Sequence, residues 1–134
     1  MNEVFADTSL LVAFISDDDE LHSAAADFLL KFEGRIVTTD WVLVELGNYL
    51  GKSRNRTAFV PFVKQLRADE RFRIVPASDD LLAEGLELYD QRPDKQWSLT
   101  DCISFVVMKQ AGIQQAMTAD HHFEQAGFQA LMRT

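Results

Sequence analysis

The sequence has 134 residues, 47% of them hydrophobic and ten of them Phe, which suits one domain with a sizeable core and excludes disorder as the default. Its 21 acids against 13 bases leave a net charge of −8, which argues against a protein that grips nucleic acid by bulk charge. The single cysteine, Cys102, excludes an intrachain disulfide and a cysteine-rich zinc site.

The start, Met1-Asn2-Glu3, is not a basic leader, and no apolar run approaches ~18 residues. A soluble cytoplasmic protein without a membrane span is therefore expected. No internal repeat, linker or low-complexity tract interrupts the chain, so residues 1–134 are read as one domain. The charge is uneven. From Lys52 to Arg73 seven bases face only Asp69 and Glu70, a local +5 that leaves −13 on the remainder.

In chain order, Glu3–Ala6 reads as a short buried strand that ends at Asp7, and Leu10–Ile15 as a short apolar helix. The acidic turn Asp17-Asp18-Asp19-Glu20 is expected to open a second helix, where acids suit the dipole. Leu21, Ala24, Ala25, Phe28, Leu29 and Phe32 recur there at helical spacing, and Gly34 is expected to stop it. Arg35–Thr38 reads as a second strand, Asp40 as an N-cap, and Trp41–Leu50 as an apolar helix closed by Gly51.

A helix is expected around Phe59–Leu66, its start blurred by Pro61, and Phe72–Val75 is a third strand. Asp79–Tyr89 is an amphipathic helix through Leu82, Leu86 and Tyr89. Ser98-Leu99-Thr100-Asp101 has the form of a capping box, and Ile103–Gln110 continues that helix to Gly112. Gln115–Thr118 reads as a fourth strand, Asp120 as a helix start and Phe128–Leu131 as an edge strand. Strands alternating with helices predict an α/β fold with a mostly parallel sheet of 4–5 strands covered on both faces.

In such a sheet, ligands bind beyond the carboxyl ends of the strands. Asp7 closes the first strand, Asp120 follows the fourth, and Asp101 lies in the first turn of a helix. Each has a local alternative, as a helix cap or, for Asp101, as partner of Ser98 in the capping box. Glu45 sits among Trp41, Val42, Val44 and Leu46, where a carboxylate is costly to bury unless it is paired or bound to a cation. Converging carboxylates repel one another until a cation neutralises them, and hard oxygen ligands suit Mg²⁺ or Mn²⁺. Such ions activate a water and stabilise a phosphoryl group in displacement. An acidic cation site with a basic flank has the logic of a metal-dependent nuclease.

The series Val4-Phe5-Ala6-Asp7-Thr8-Ser9, Glu45, Ser98-Leu99-Thr100-Asp101 and Thr118-Ala119-Asp120-His121-His122-Phe123 resembles the PIN domain, most of all the VapC-type toxins of bacterial toxin–antitoxin pairs. The resemblance spans nearly the whole chain. It implies a three-layer α/β/α sandwich and a Mg²⁺- or Mn²⁺-dependent endoribonuclease holding one or two ions. It matches Asp7, Glu45, Asp101 and Asp120 to the four metal-ligand acids, with Thr8, Ser9 and Thr118 supporting them. It further implies an RNA substrate, a small antitoxin whose peptide fills the site, and a homodimer. Lys52, Arg54 and Arg56 are candidate phosphate contacts, or else a solvated loop.

Other readings remain beside this one. A PIN-like domain can serve as an RNA- or protein-binding module. An aspartyl phosphatase would need a second acid two residues after Asp7, where Ser9 stands, and a phospho-receiver would need a lysine after the last strand. His121 and His122 are read as exposed residues at a helix start, since neighbours on a helix diverge by about 100° and do not readily share an ion. Cys102 is read as a small core residue, and the stripe of Phe59, Phe62, Val63 and Leu66 as core with a fringe for a partner.

Overall fold

The computed structural model describes residues 2–133. Five parallel strands form the sheet, in the order β3-β2-β1-β4-β5: β1 is Glu3–Ala6, β2 Arg35–Thr39, β3 Phe72–Val75, β4 Gln115–Met117 and β5 Gln129–Ala130. The alternation of strand side chains sends residues to two cores. Phe5, Val37 and Ala116 face one core, and Val4, Ala6, Ile36 and Met117 face the other.

Helices cover both faces, giving three layers. Helix α1 (Thr8–Ile15) and α2 (His22–Lys31) close the second core through Leu10, Ala13, Ala25 and Leu29. Helices α3 (Asp40–Leu50), α4 (Phe59–Ala68), α6 (Leu99–Ala111) and α7 (His121–Gln125) close the first, and α5 (Asp79–Gln91) packs outside α6. Each fully buried Leu, Ile or Phe contributes roughly 1.5–3 kcal/mol, so these two cores fix the sheet that carries the site.

Strand order matters more than any one element. From β1 the chain moves one way through β2 to β3, then returns to place β4 on the other side of β1, with Ala6 beside Met117. The sheet therefore has its topological switch point between β1 and β4, where connections diverge and leave a crevice at the carboxyl ends.

Several local expectations change. The N-cap of α3 is Thr39, whose hydroxyl accepts from Val42 N at 3.1 Å. Asp40 is already helical, and its carboxylate accepts from Ala77 N. The acidic turn does not enter α2, whose N-cap is Leu21; Asp19 instead accepts from Leu21 N at 2.8 Å. Phe32 caps the far end of α2, and Gly34 serves close approach: a Cβ there would stand 2.2 Å from the Asn2 carbonyl oxygen. Val44 points to solvent rather than into the α3 core.

The buried side of α5 is also not the expected one. Leu82, Leu86 and Tyr89 are exposed, and α5 meets the core through Leu81, Gly85 and Leu88. The crossing is tight at Gly85, where a Cβ would lie 2.4 Å from Ile103 Cγ1. Pro61 falls at the third residue of α4, within the first turn that has no intrahelical use for its missing N–H. Gly112 ends α6 in the left-handed conformation, φ 70°, and Cys102 is buried in the core with its thiol pushed up to about 11 by that burial.

Candidate active site

The four acids named from sequence come from four separate elements and line one cavity of about 340 Å³, with Thr8, Ser9, Asp19, Tyr49, Thr100 and Ser104 among its walls. No Lys or Arg lines it. The cavity opens at the switch point between β1 and β4.

Asp7 is the fixed floor. It follows β1 directly and is only 6% exposed. Its Oδ1 accepts from Leu10 N at 3.2 Å, capping α1, and from Ser9 Oγ at 2.8 Å. Its Oδ2 accepts from Thr118 Oγ1 at 2.6 Å. Thr118 is itself buried and accepts from Asp120 N at 2.9 Å, so one hydroxyl ties the end of β1 to the segment after β4. Burial is the main cause that raises the Asp7 carboxyl to about 7, against these three hydrogen bonds, and the neighbouring Asp120 adds to the rise.

Asp101 and Asp120 also do two things at once. Asp101 Oδ2 accepts from Ser98 N at 3.1 Å while Ser98 Oγ accepts from Asp101 N at 3.0 Å, a complete capping box. Asp120 Oδ1 accepts from His122 N at 2.9 Å and caps α7. In each of these two, the second carboxylate oxygen takes no part in the cap. Burial is again the first cause that raises the Asp101 carboxyl, with Asp120 and Glu45 adding to it and His122 opposing. Glu45 is half-buried on α3, and its Oε1 accepts from Thr8 Oγ1 at 2.5 Å.

The short helix α7 is anchored by Phe123, which is fully buried, stacks edge-on against Phe105 at 4.9 Å and lies 6.2 Å from Phe5. That anchor sets where Asp120 and His122 stand. The two histidines do not diverge: their ring centroids are 4.3 Å apart, and His122 is turned inward with a side chain 19% exposed. Its Nδ1 lies 3.1 Å from Asp120 Oδ1 and 3.5 Å from Asp101 Oδ2. Asp19 and Tyr49 in the wall of the crevice were not among the site residues expected from sequence, and His122, expected to be exposed, stands inward beside Asp101 and Asp120. The only sequence signal for His122 was its place beside Asp120 and before the apolar Phe123.

The basic loop is engaged elsewhere. Arg54 pairs with Asp17 and, at 3.8 Å, with Asp18, and Arg56 donates to the Gly51 carbonyl at 2.7 Å. Lys52 is exposed. The loop borders a second hollow that shares Asp19 and Tyr49 with the acidic cavity, so it stands next to the acids rather than among them.

The donor set fits a hard divalent cation: carboxylates and hydroxyls converge, and two of the carboxyls resist ionisation without a counter-charge. A parallel α/β sandwich with clustered acids at its switch point defines a class of cation-dependent phosphoryl-transfer folds. The chain belongs to the PIN-domain family, whose model matches residues 4–129.

Among its relatives are the 23S rRNA-specific endonuclease VapC20 of Mycobacterium tuberculosis, 28% identical over 125 residues, and a VapC ribonuclease of Aquifex aeolicus, 25% identical over 130 residues. The first match covers 93% of this chain and 95% of VapC20, and the second covers 93% of each. The crystal structure of VapC20, titled a Sarcin-Ricin loop cleaving toxin, superimposes with a TM-score of 0.85 over 93% of this chain and 95% of that one. The FitAcB structure from Neisseria gonorrhoeae shares the fold at a TM-score of 0.66 and 15% identity, over 95% of this chain and 94% of that one.

Proposed function

We propose that this chain is a divalent-cation-dependent endoribonuclease that acts as the toxin of a toxin–antitoxin pair. The observation that carries this reading is the convergence of Asp7, Glu45, Asp101 and Asp120 on one cavity that no basic side chain lines. These four would hold one or two ions, and Mg²⁺ or Mn²⁺ suits carboxylate oxygens best. When bound, the cation lowers the pKa of a water and stabilises charge on the phosphoryl group under attack.

The chain's own residues supply placement. Ser9, Leu10 N and Thr118 hold the Asp7 carboxylate in one orientation, so it need not reorganise when a cation arrives. Thr8 orients Glu45 across from it. Tyr49 lies one helical turn beyond Glu45, is 63% exposed and lines the cavity. Its ring offers a face on which an unstacked base can lie. Lys52, Arg54 and Arg56 then serve the flanking phosphates, Arg54 by exchanging Asp17 for RNA. The substrate to try first is 23S rRNA, the target in the name of VapC20.

The same reading includes a small antitoxin and a homodimer in the cytoplasm, and no helix among the described residues is long and apolar enough to cross a membrane. An apolar groove of about 1040 Å³ between α3 and α4 exposes Val44 and Val60. Its rim carries Arg56, Lys64 and Arg67 against Asp40 alone, so an acidic amphipathic segment of the antitoxin is its complementary occupant.

The test is cleavage of ribosomal RNA with Mg²⁺ or Mn²⁺ by the wild-type chain and by Asp7→Asn. Cleavage that disappears in the variant and in excess chelator supports the reading. Full activity in either removes it. A wild-type chain that binds a partner but never cuts RNA points instead to a binding module.

A further inference from the structure

Among the described residues, His122 Nδ1 is the one buried side-chain nitrogen or oxygen that has no hydrogen-bond partner. An unpaired buried polar atom costs about 1–3 kcal/mol, so its presence here asks for a ligand. Two carboxylate oxygens stand close by, Asp120 Oδ1 at 3.1 Å and Asp101 Oδ2 at 3.5 Å, and neither contact has hydrogen-bond geometry. Donors that share a six-coordinate cation at about 2.1 Å, at right angles to one another, lie about 3 Å apart. The separations around His122 Nδ1 match that spacing. His121 fits less well: its Nδ1 is 3.8 Å from Asp120 Oδ1 and its side chain is 54% exposed.

We propose that His122 Nδ1 is a nitrogen donor to the cation that Asp101 and Asp120 hold, and that it biases the site toward Mn²⁺ over Mg²⁺. This rests on the carboxylate reading above and adds one ligand to it. Imidazole is a borderline donor that favours transition metals, whereas an all-oxygen site serves Mg²⁺ as well. With Nδ1 committed, the ring proton resides on Nε2. The anchoring of α7 by Phe123 gives the ring its fixed position.

The experiment is pulsed electron paramagnetic resonance of Mn²⁺ bound to the full chain, with calorimetric titrations of Mn²⁺ and Mg²⁺. The wild-type spectrum should show coupling to one directly bound nitrogen, and labelling the histidines with ¹⁵N should change that coupling. His121→Gln should keep it. His122→Gln should lose it, with Mn²⁺ affinity down roughly tenfold and Mg²⁺ affinity little changed. Bound Mn²⁺ without nitrogen coupling in the wild type overturns the assignment and leaves the carboxylate site standing. Failure of the wild type to bind Mn²⁺ at all overturns both. If His122→Gln does not fold, the labelled wild-type spectrum and His121→Gln still decide.

Discussion

The two ends of the sheet enclose hollows of similar size and opposite chemistry. At the carboxyl ends, about 340 Å³ is walled by Asp7, Asp19, Glu45, Asp101 and Asp120. At the amino ends, about 370 Å³ is walled by Asn2, Glu3, Gln114, Gln115, Gln129 and the turns at Gly112 and Gly127. The amides there satisfy one another, Gln115 Nε2 donating to Gln129 Oε1 at 3.1 Å. Size therefore does not mark the site. What separates the ends is that one gathers several carboxyls, two of them pushed up in pKa by burial, beside a nitrogen without a partner, and the other has a single acid, Glu3, among amides and glycine turns.

The contrast breaks most sharply under substitution. Thr118→Val keeps the shape but removes the donor to Asp7 Oδ2, the acceptor for Asp120 N and the contact with Ser9. It should slow RNA cleavage by roughly 10–100-fold, as loss of a group that orients a ligand does. Gln129→Ala at the opposite end should leave the rate within about twofold, a surface change of the ordinary kind. Equal losses from both, measured as kcat/KM on the same RNA, would erase the distinction.

Of the two ends, the acidic one should make stability depend on pH. The folded state keeps the Asp7 proton up to about 7, whereas the unfolded chain releases it near 3.8. Between those values the folded state binds more protons, so stability of the cation-free protein falls as pH rises and levels off above about 7. Asp101, raised in the same direction, adds to the slope. A saturating divalent cation should flatten it, and so should Asp7→Asn, in which Thr118 Oγ1 can accept from the new amide. Denaturation midpoints from pH 4 to 8, with and without Mn²⁺, read this directly. A midpoint that climbs with pH over that window would contradict the burial of Asp7 without a counter-charge.

The smallest effects belong to residues outside the crevice and at its lip. Gly85→Ala sets a methyl against Ile103 and should cost about 1–3 kcal/mol of stability while leaving kcat per folded molecule unchanged. Tyr49→Ala should raise KM severalfold with a smaller change in kcat, since base stacking is worth about 1–3 kcal/mol per base. Tyr49→Phe should retain the wild-type KM.

Sequence made the elements legible and left their arrangement hidden. Hydrophobic runs and caps placed all five strands and the main helices within a few residues, because those signals are local. The order that sets β1 beside β4 is not local, and with it came the pairing of Asp7 with Thr118 across 111 positions. The local ambiguity at Asp7, Asp101 and Asp120 had a physical cause: in each, the carboxylate that caps a helix N-terminus also lines the crevice, so the cap and the candidate cation ligand are the same residue. The face of α5 was misjudged because leucines were counted as inward while the close crossing rested on a glycine, which carries no hydropathy signal. His122 escaped because its orientation depends on Phe123 being held by Phe105, a contact between distant helices.

The proposed function stands or falls with divalent-cation binding by the acids at the switch point. Anomalous diffraction from crystals soaked in Mn²⁺ tests it most directly. A peak is expected in the crevice bounded by Asp7, Glu45, Asp101 and Asp120, and none there in Asp101→Asn crystals. A crevice without such a peak in the soaked wild type, with Mn²⁺ found only on surface carboxylates, would contradict it.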